Sequence, residues 1–242
     1  MKQKPSRSRP RFLTSGWLWL FVVFQLQACA SVKQGDDQNE NWLTLFDGTS
    51  LTKWRGYQQQ GVPPEWQIQD GVLTLTAGGG GDLITVEQFG AFDLRMEWRI
   101  APGGNSGVFV LADEALPRIY IKAPEVQILD DARHPDNKLA THRSGSLYDL
   151  VAAPPSAQRA AGEWNTLRVV FVGQALSVWQ NDVVVVRELD LNSQRWADLV
   201  ADSKFESWPG FGENRRGHIG LQDHGDVVSF RNIRIRNLDI QP

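Results

Sequence analysis

Glu125 and Gln127, a carboxylate and a carboxamide two residues apart, are the first side chains in this 242-residue sequence that could do chemistry together. In the segment APEVQILD, strand alternation sends Glu125 and Gln127 to one face and Val126 and Ile128 to the other. The two polar groups together offer hydrogen-bond donors and acceptors, a combination suited to sugar hydroxyls. An ordinary strand with one wet face would carry the same pattern. A second candidate is GHIGLQDHG at 217–225, which holds two of the four histidines. His218, Gly220 and Gln222 alternate there with Ile219 and Leu221, and Asp223-His224-Gly225-Asp226 forms a turn. His224 thus stands at the mouth of a strand beside Asp223, a usual place for a general base or a metal ligand. A turn that is only structural would look the same. Asn105 in a turn, Tyr148 after Ser144-Gly145-Ser146, and Lys204 in a long insertion are weaker candidates. Trp54 and Trp208, flanked by polar and loop residues, are the tryptophans placed to stack on a sugar ring; most others belong in a core. No nucleotide-binding loop, metal-pair spacing or nucleophile elbow is present in the sequence.

The elements that must position these groups are strands. Residues 92–100 alternate strictly, with Phe92, Leu94, Met96, Trp98 and Ile100 on one side and Asp93, Arg95, Glu97 and Arg99 on the other. Val108 to Leu111 reads as a fully buried strand, and Trp66 to Thr76 as a hairpin about Asp70-Gly71. Trp164 to Val172, Ala175 to Gln180 and Val183 to Glu188 are three more strands, the last two joined at Asn181-Asp182. The apolar phase of the C-terminal strand changes near Arg231-Asn232, which predicts a bulge or bend. One short helix is expected near Arg195 to Ser203. Many short strands between Gly, Pro and Asn turns predict an all-β sandwich of a single domain.

The N-terminus has its own logic. Lys2, Lys4, Arg7, Arg9 and Arg11 precede an apolar run from Phe12 to Phe24, then Leu26-Gln27-Ala28-Cys29. The order is that of a secretory signal, and the run is short for a membrane span. The Leu-x-Ala-Cys site resembles a bacterial lipobox, in which the cysteine is lipidated and becomes the mature N-terminus. Cys29 is the only cysteine, which fits an anchor better than a free thiol. The expected division is a signal peptide at 1–28, a flexible tether at 29–41 and a folded domain at 42–242. With Ala30 after the cysteine, the expected address is the outer membrane, facing the periplasm. Removing the leader leaves 28 acidic against 20 basic side chains, a net charge of about −8. Such a domain is a poor partner for nucleic acid.

Taken in order, FDGTSLTKW, DGVL, NSGVFV, EVQILDD, SLYDL, GEWN and GHIGLQDHGDVVSFRNIRI resemble the bacterial 3-keto-disaccharide hydrolase family, from about Trp42 to Leu238. The resemblance implies a concanavalin A-like jelly roll and action on glycosides already oxidised at C3. A C3 ketone acidifies the C2 proton; a base removes it, the C1 substituent leaves, and water adds. By motif, Glu125, Gln127, Asn105, Tyr148, Lys204, His218 and His224 would gather around one face, with Asp223 beside them. The implied roles are His224 as base with Glu125 as alternative, Lys204 stabilising enolate charge, and Tyr148 protonating the leaving oxygen. No cofactor is demanded. A divalent metal ion could instead serve as the electrophile, held by His218, His224 or Glu125. Two other readings stay open. One is a non-catalytic carbohydrate-binding module on a lectin-like fold. The other is a conventional glycosidase, which needs a second carboxylate that the spacing around Glu125 does not reveal.

Overall fold

A computed structural model describes residues 41–239; Cys29, the signal peptide and nearly all of the tether lie outside the described residues. The strands are β1 (Trp42–Phe46), β2 (Trp54–Gly56), β3 (Trp66–Gln69), β4 (Val72–Leu75), β5 (Leu83–Thr85), β6 (Phe92–Ile100) and β7 (Asn105–Ala112). They continue as β8 (Glu125–Leu129), β9 (Asn165–Val172), β10 (Ala175–Gln180), β11 (Val183–Asp190), β12 (His218–Leu221) and β13 (Val228–Asn237). The helix α1 (Gln194–Ala201) is capped by the Ser193 hydroxyl, which accepts from the Trp196 N–H at 3.2 Å.

All pairings within these strands are antiparallel, in two sheets. The larger runs β11-β10-β9-β6-β13-β4-β3 with β1 also on β13; the smaller runs β2-β5-β12-β7-β8. Phe92, Leu94, Met96 and Trp98 from the larger sheet pack with Val108, Val110, Val126, Ile128, Ile219 and Leu221 from the smaller. The alternation read at 92–100 is realised except at Asp93, which is fully buried beneath Arg95 and Arg168. Hairpin turns fall at Asp70-Gly71 and Asn181-Asp182, all four at positive φ, as two-residue loops that match strand twist require. The phase change in β13 is a register shift between Arg231 and Arg234, with Asn232 at φ 53°. This is the two-sheet, jelly-roll type of sandwich that the sequence led us to expect.

Because Val126 and Ile128 enter the core, Glu125 and Gln127 stand on the outer face of the smaller sheet. The register continues across it. Gly220 opposes Phe109, which opposes Glu125; Leu221 opposes Val108, which opposes Val126. One residue along, Gln127 opposes Gly107, whose carbonyl accepts from the Gln222 N–H at 2.9 Å. Asp82, just before β5, follows the same row, since Leu83 opposes Leu221. Asp82, Gln222, Gly107 and Gln127 thus form one line across four strands.

Candidate active site

Glu125 is the centre of that face. Its side chain is nine-tenths buried and leans across Gly107, where any Cβ would lie 2.1 Å from Glu125 Oε1. Glycine is required at 107 by that close approach, not by its φ. Burial pushes the Glu125 pKa up to about 8; Lys204 opposes the shift, Asp82 adds to it, and the Gln222 carboxamide opposes it. Asp82 is itself raised to about 6, chiefly by burial, although its Oδ1 accepts the Asp223 N–H at 2.9 Å. Sequence spacing gave Glu125 no acidic neighbour. The fold supplies one 43 positions upstream in the sequence, because β5 lies in the same sheet.

The segment after β8 folds back and pairs with it. Gln127 N–H donates to Ser146 O at 3.0 Å, and Tyr148 N–H to Glu125 O at 2.9 Å. Tyr148 is therefore carried by the same backbone as Glu125. Its hydroxyl donates to Asp136 Oδ2 at 3.1 Å, and its pKa is raised by burial first and by Asp136 next. His142 links the loop: Nδ1 lies 2.8 Å from Asp136 Oδ1 and Nε2 2.8 Å from Asp149 Oδ1. The other oxygen of Asp149 accepts the Lys204 backbone N–H at 2.9 Å. Much of Lys204 faces solvent, yet its ammonium sits 4.1 Å from the centre of the Tyr148 ring. Desolvation lowers its pKa, with Glu125 and Asp149 opposing. Backbone pairing thus sets Tyr148 beside Glu125, and a His142 network that sequence reading missed ties the Tyr148 hydroxyl to the Lys204 backbone.

The other candidates sit differently. Asn105 and Gln127 are buried on the same face as Glu125, and the Asn105 N–H donates to Asp226 at 3.0 Å. Asn105 Oδ1 and Gln222 Oε1 are buried with no hydrogen-bond partner among the described residues. Asp223 ties loops together, its carboxylate accepting from the N–H groups of Gly79, Gly81 and Gly225. His224 is exposed on its turn, with its ring 6.3 Å from that of His134 and edge-on to it. His218 is buried two strands from Glu125, its Nδ1 2.7 Å from Thr85 O and its Nε2 3.0 Å from Gln88. Burial lowers its pKa. Trp54 is not a stacking platform: it is 3% exposed, and its indole N–H donates to Leu45 O at 2.9 Å. Among the described residues no three His, Cys, Asp or Glu side chains converge as a metal-holding group. His218, His224 and Glu125, the set considered for such an ion, have separate neighbours.

A depression of about 790 Å³ lies on the outer face of the larger sheet, lined by Arg95, Glu97, Arg168 and Trp179 among others. Three of its charges are held in ion pairs: Arg95 and Arg168 with Asp93, and Glu97 with Arg231. The smaller sheet's face, with displaced acids and unpartnered buried oxygens, is the better chemical candidate.

Residues 41–236 match the sequence profile of the 3-keto-alpha-glucoside-1,2-lyase-like domain. The chain belongs to that family. A 3-keto-disaccharide hydrolase from Bacteroides thetaiotaomicron is 41% identical over 231 residues, covering 83% of this chain and 79% of that protein. Two crystal structures of candidate glycosyl hydrolases from Parabacteroides distasonis share the fold of this lyase-like domain. One has TM-score 0.75 and 27% identity, covering 82% of this chain and 94% of that one. The other has TM-score 0.67 and 30% identity, covering 81% and 99%. The seven motifs that suggested the 3-keto-disaccharide hydrolase resemblance therefore led to the right family.

Proposed function

We propose that this protein cleaves 3-keto-glycosides, 3-keto-disaccharides above all, by removing the C2 proton, expelling the C1 substituent and adding water to the resulting enone. The supporting observation is Glu125: a buried carboxyl raised to about 8, with the Lys204 ammonium and the Tyr148 hydroxyl held around it. A carboxylate of raised pKa is a stronger base than an ordinary one, which abstraction next to a ketone demands. Glu125 takes the C2 proton. Lys204 stabilises the negative charge that develops on the C3 oxygen, in a partly desolvated site where such charge interactions are strong. Tyr148, held protonated by its raised pKa, gives its proton to the departing C1 oxygen. Asn105 Oδ1 and Gln222 Oε1 are open acceptors for sugar hydroxyls. His224, the other candidate base, is assigned a substrate contact at the exposed end of the face. No step runs through a metal ion.

Asp82 beside Glu125 favours a second reading, a two-carboxylate glycosidase acting on unoxidised sugars. One comparison separates the two: the protein is incubated with a disaccharide and with its 3-keto derivative. Release of sugar from the keto substrate alone is expected; equal release from both would establish the glycosidase, and release from neither would leave a binding module.

The lipobox reading places the enzyme on a membrane through Cys29. It predicts that fatty-acid labelling of the expressed protein is abolished in Cys29→Ser; retained labelling would remove the anchor.

A further inference from the structure

Beside the Glu125 site lies an aromatic pair to which the chemistry above gives no role. Tyr120, in the short turn after β7, is 42% exposed, a large ring left in water. Its ring centre lies 5.7 Å from that of Trp208, tilted by 45°. Trp208 is held from beneath: Phe205 meets it edge-on at 5.0 Å, Phe205 stacks on Phe211 at 3.9 Å, and Phe211 stacks on Trp196 of α1 at 6.0 Å. The turn is anchored as well. Ile119 packs so closely on the sheet that a Cβ on Gly220 would lie 2.6 Å from its Cδ1, and Lys122 O accepts the Gly212 N–H at 2.8 Å. The pair is therefore rigid and already oriented. It also adjoins the site, since Lys204 Nζ lies 5.6 Å from the Trp208 ring and 4.1 Å from that of Tyr148.

We propose that Tyr120 and Trp208 form the subsite for the leaving sugar. This rests on the 3-keto-glycoside reading. Pyranose rings present a C–H face that packs on an aromatic plane, whose apolar area and negative ring face both favour the contact. In a disaccharide whose oxidised ring occupies the Glu125 site, one other ring exists, and it is attached at C1. A ring bound beside the Lys204–Tyr148 pair, whose phenol serves the C1 oxygen, is thus the group that departs.

The test compares 3-keto-disaccharide with methyl 3-keto-glucoside, which lacks the second ring, in wild type, Tyr120→Ala and Tyr120→Phe. Loss of one stacking contact is expected to lower kcat/KM for the disaccharide about 3- to 10-fold in Tyr120→Ala. The methyl glycoside should change less than about 2-fold, because it makes no such contact. Tyr120→Phe should keep disaccharide activity. Equal losses on both substrates, or no loss on the disaccharide, would overturn the subsite. Failure of the parent reading looks different: wild type would then cleave neither substrate. In that event calorimetric titration with the intact 3-keto-disaccharide still decides, by weaker binding to Tyr120→Ala than to wild type or by equal binding.

Discussion

Tyr148 donates its backbone N–H to the carbonyl oxygen of Glu125 at 2.9 Å, so two groups assigned opposite proton-transfer roles share one stretch of pleated backbone. The pairing fixes the phenol beside the carboxyl without any side-chain bond between them. Asp136, His142 and Asp149 then complete the arrangement, holding the Tyr148 hydroxyl at one end and the Lys204 backbone at the other.

The raised pKa of Glu125 sets the pH dependence. A base must be ionised, so kcat/KM is expected to climb about tenfold per pH unit below about 8 and then level. Loss of the Lys204 proton, whose pKa lies below its ordinary value, brings the rate down again at high pH. The pH–rate profile of wild type checks this. With His224 as base the acid limb would be lost in His224→Ala; with Glu125 as base the limb stays where it is in that variant.

Gly107→Ala is a steric test of the same group. The new methyl would enter the space held by the Glu125 carboxyl, 2.1 Å from Oε1, and must push it aside. Displacement of a reacting group by about 1 Å costs about 100-fold in rate. We expect a drop of that order in kcat with the protein still folded, measured by kinetics alongside circular dichroism. Unchanged kcat would mean that the position of Glu125 is not critical.

Stability should respond in a direction fixed by the same burial. In the unfolded chain Glu125 ionises in the ordinary carboxylate range, whereas in the fold it keeps its proton to about 8. The folded state therefore binds the extra proton between those limits, and stability is lost as pH rises through about 8. Glu125→Gln removes that loss. Its Tm is expected to exceed that of wild type by about 5 °C or more at pH 9, with the gap closing toward pH 5. Thermal melts at the two pH values decide it.

Much of the fold was legible because it is local. Alternation at 92–100 located β6, and Asp70-Gly71 and Asn181-Asp182 marked hairpins whose turns need positive φ. The bulge in β13 showed as a phase change in the apolar residues. The short strands β1, β2 and β5 carry too few residues for a period to emerge, and they escaped that reading. The site was half legible. Glu125 and Gln127 share a face by their spacing alone, but Asp82 reaches them only through strand order, which alternation does not encode. Gly107 makes room for the Glu125 carboxyl, which its neighbours in sequence do not announce. His142 gave no signal, since its partners are two aspartates in an irregular loop. Trp54 was misjudged because polar neighbours in sequence say little about burial in a three-residue strand.

The central claim is that Glu125 removes the C2 proton of an oxidised sugar. Its most direct test is cleavage of a 3-keto-disaccharide in D₂O by wild type and Glu125→Gln, with the released keto sugar analysed by mass spectrometry and NMR. The account predicts one deuterium at C2 in the wild-type product, above enzyme-free exchange, and a rate at least about 1000-fold lower for Glu125→Gln. Cleavage without deuterium at C2, or near-normal turnover by Glu125→Gln, would contradict it.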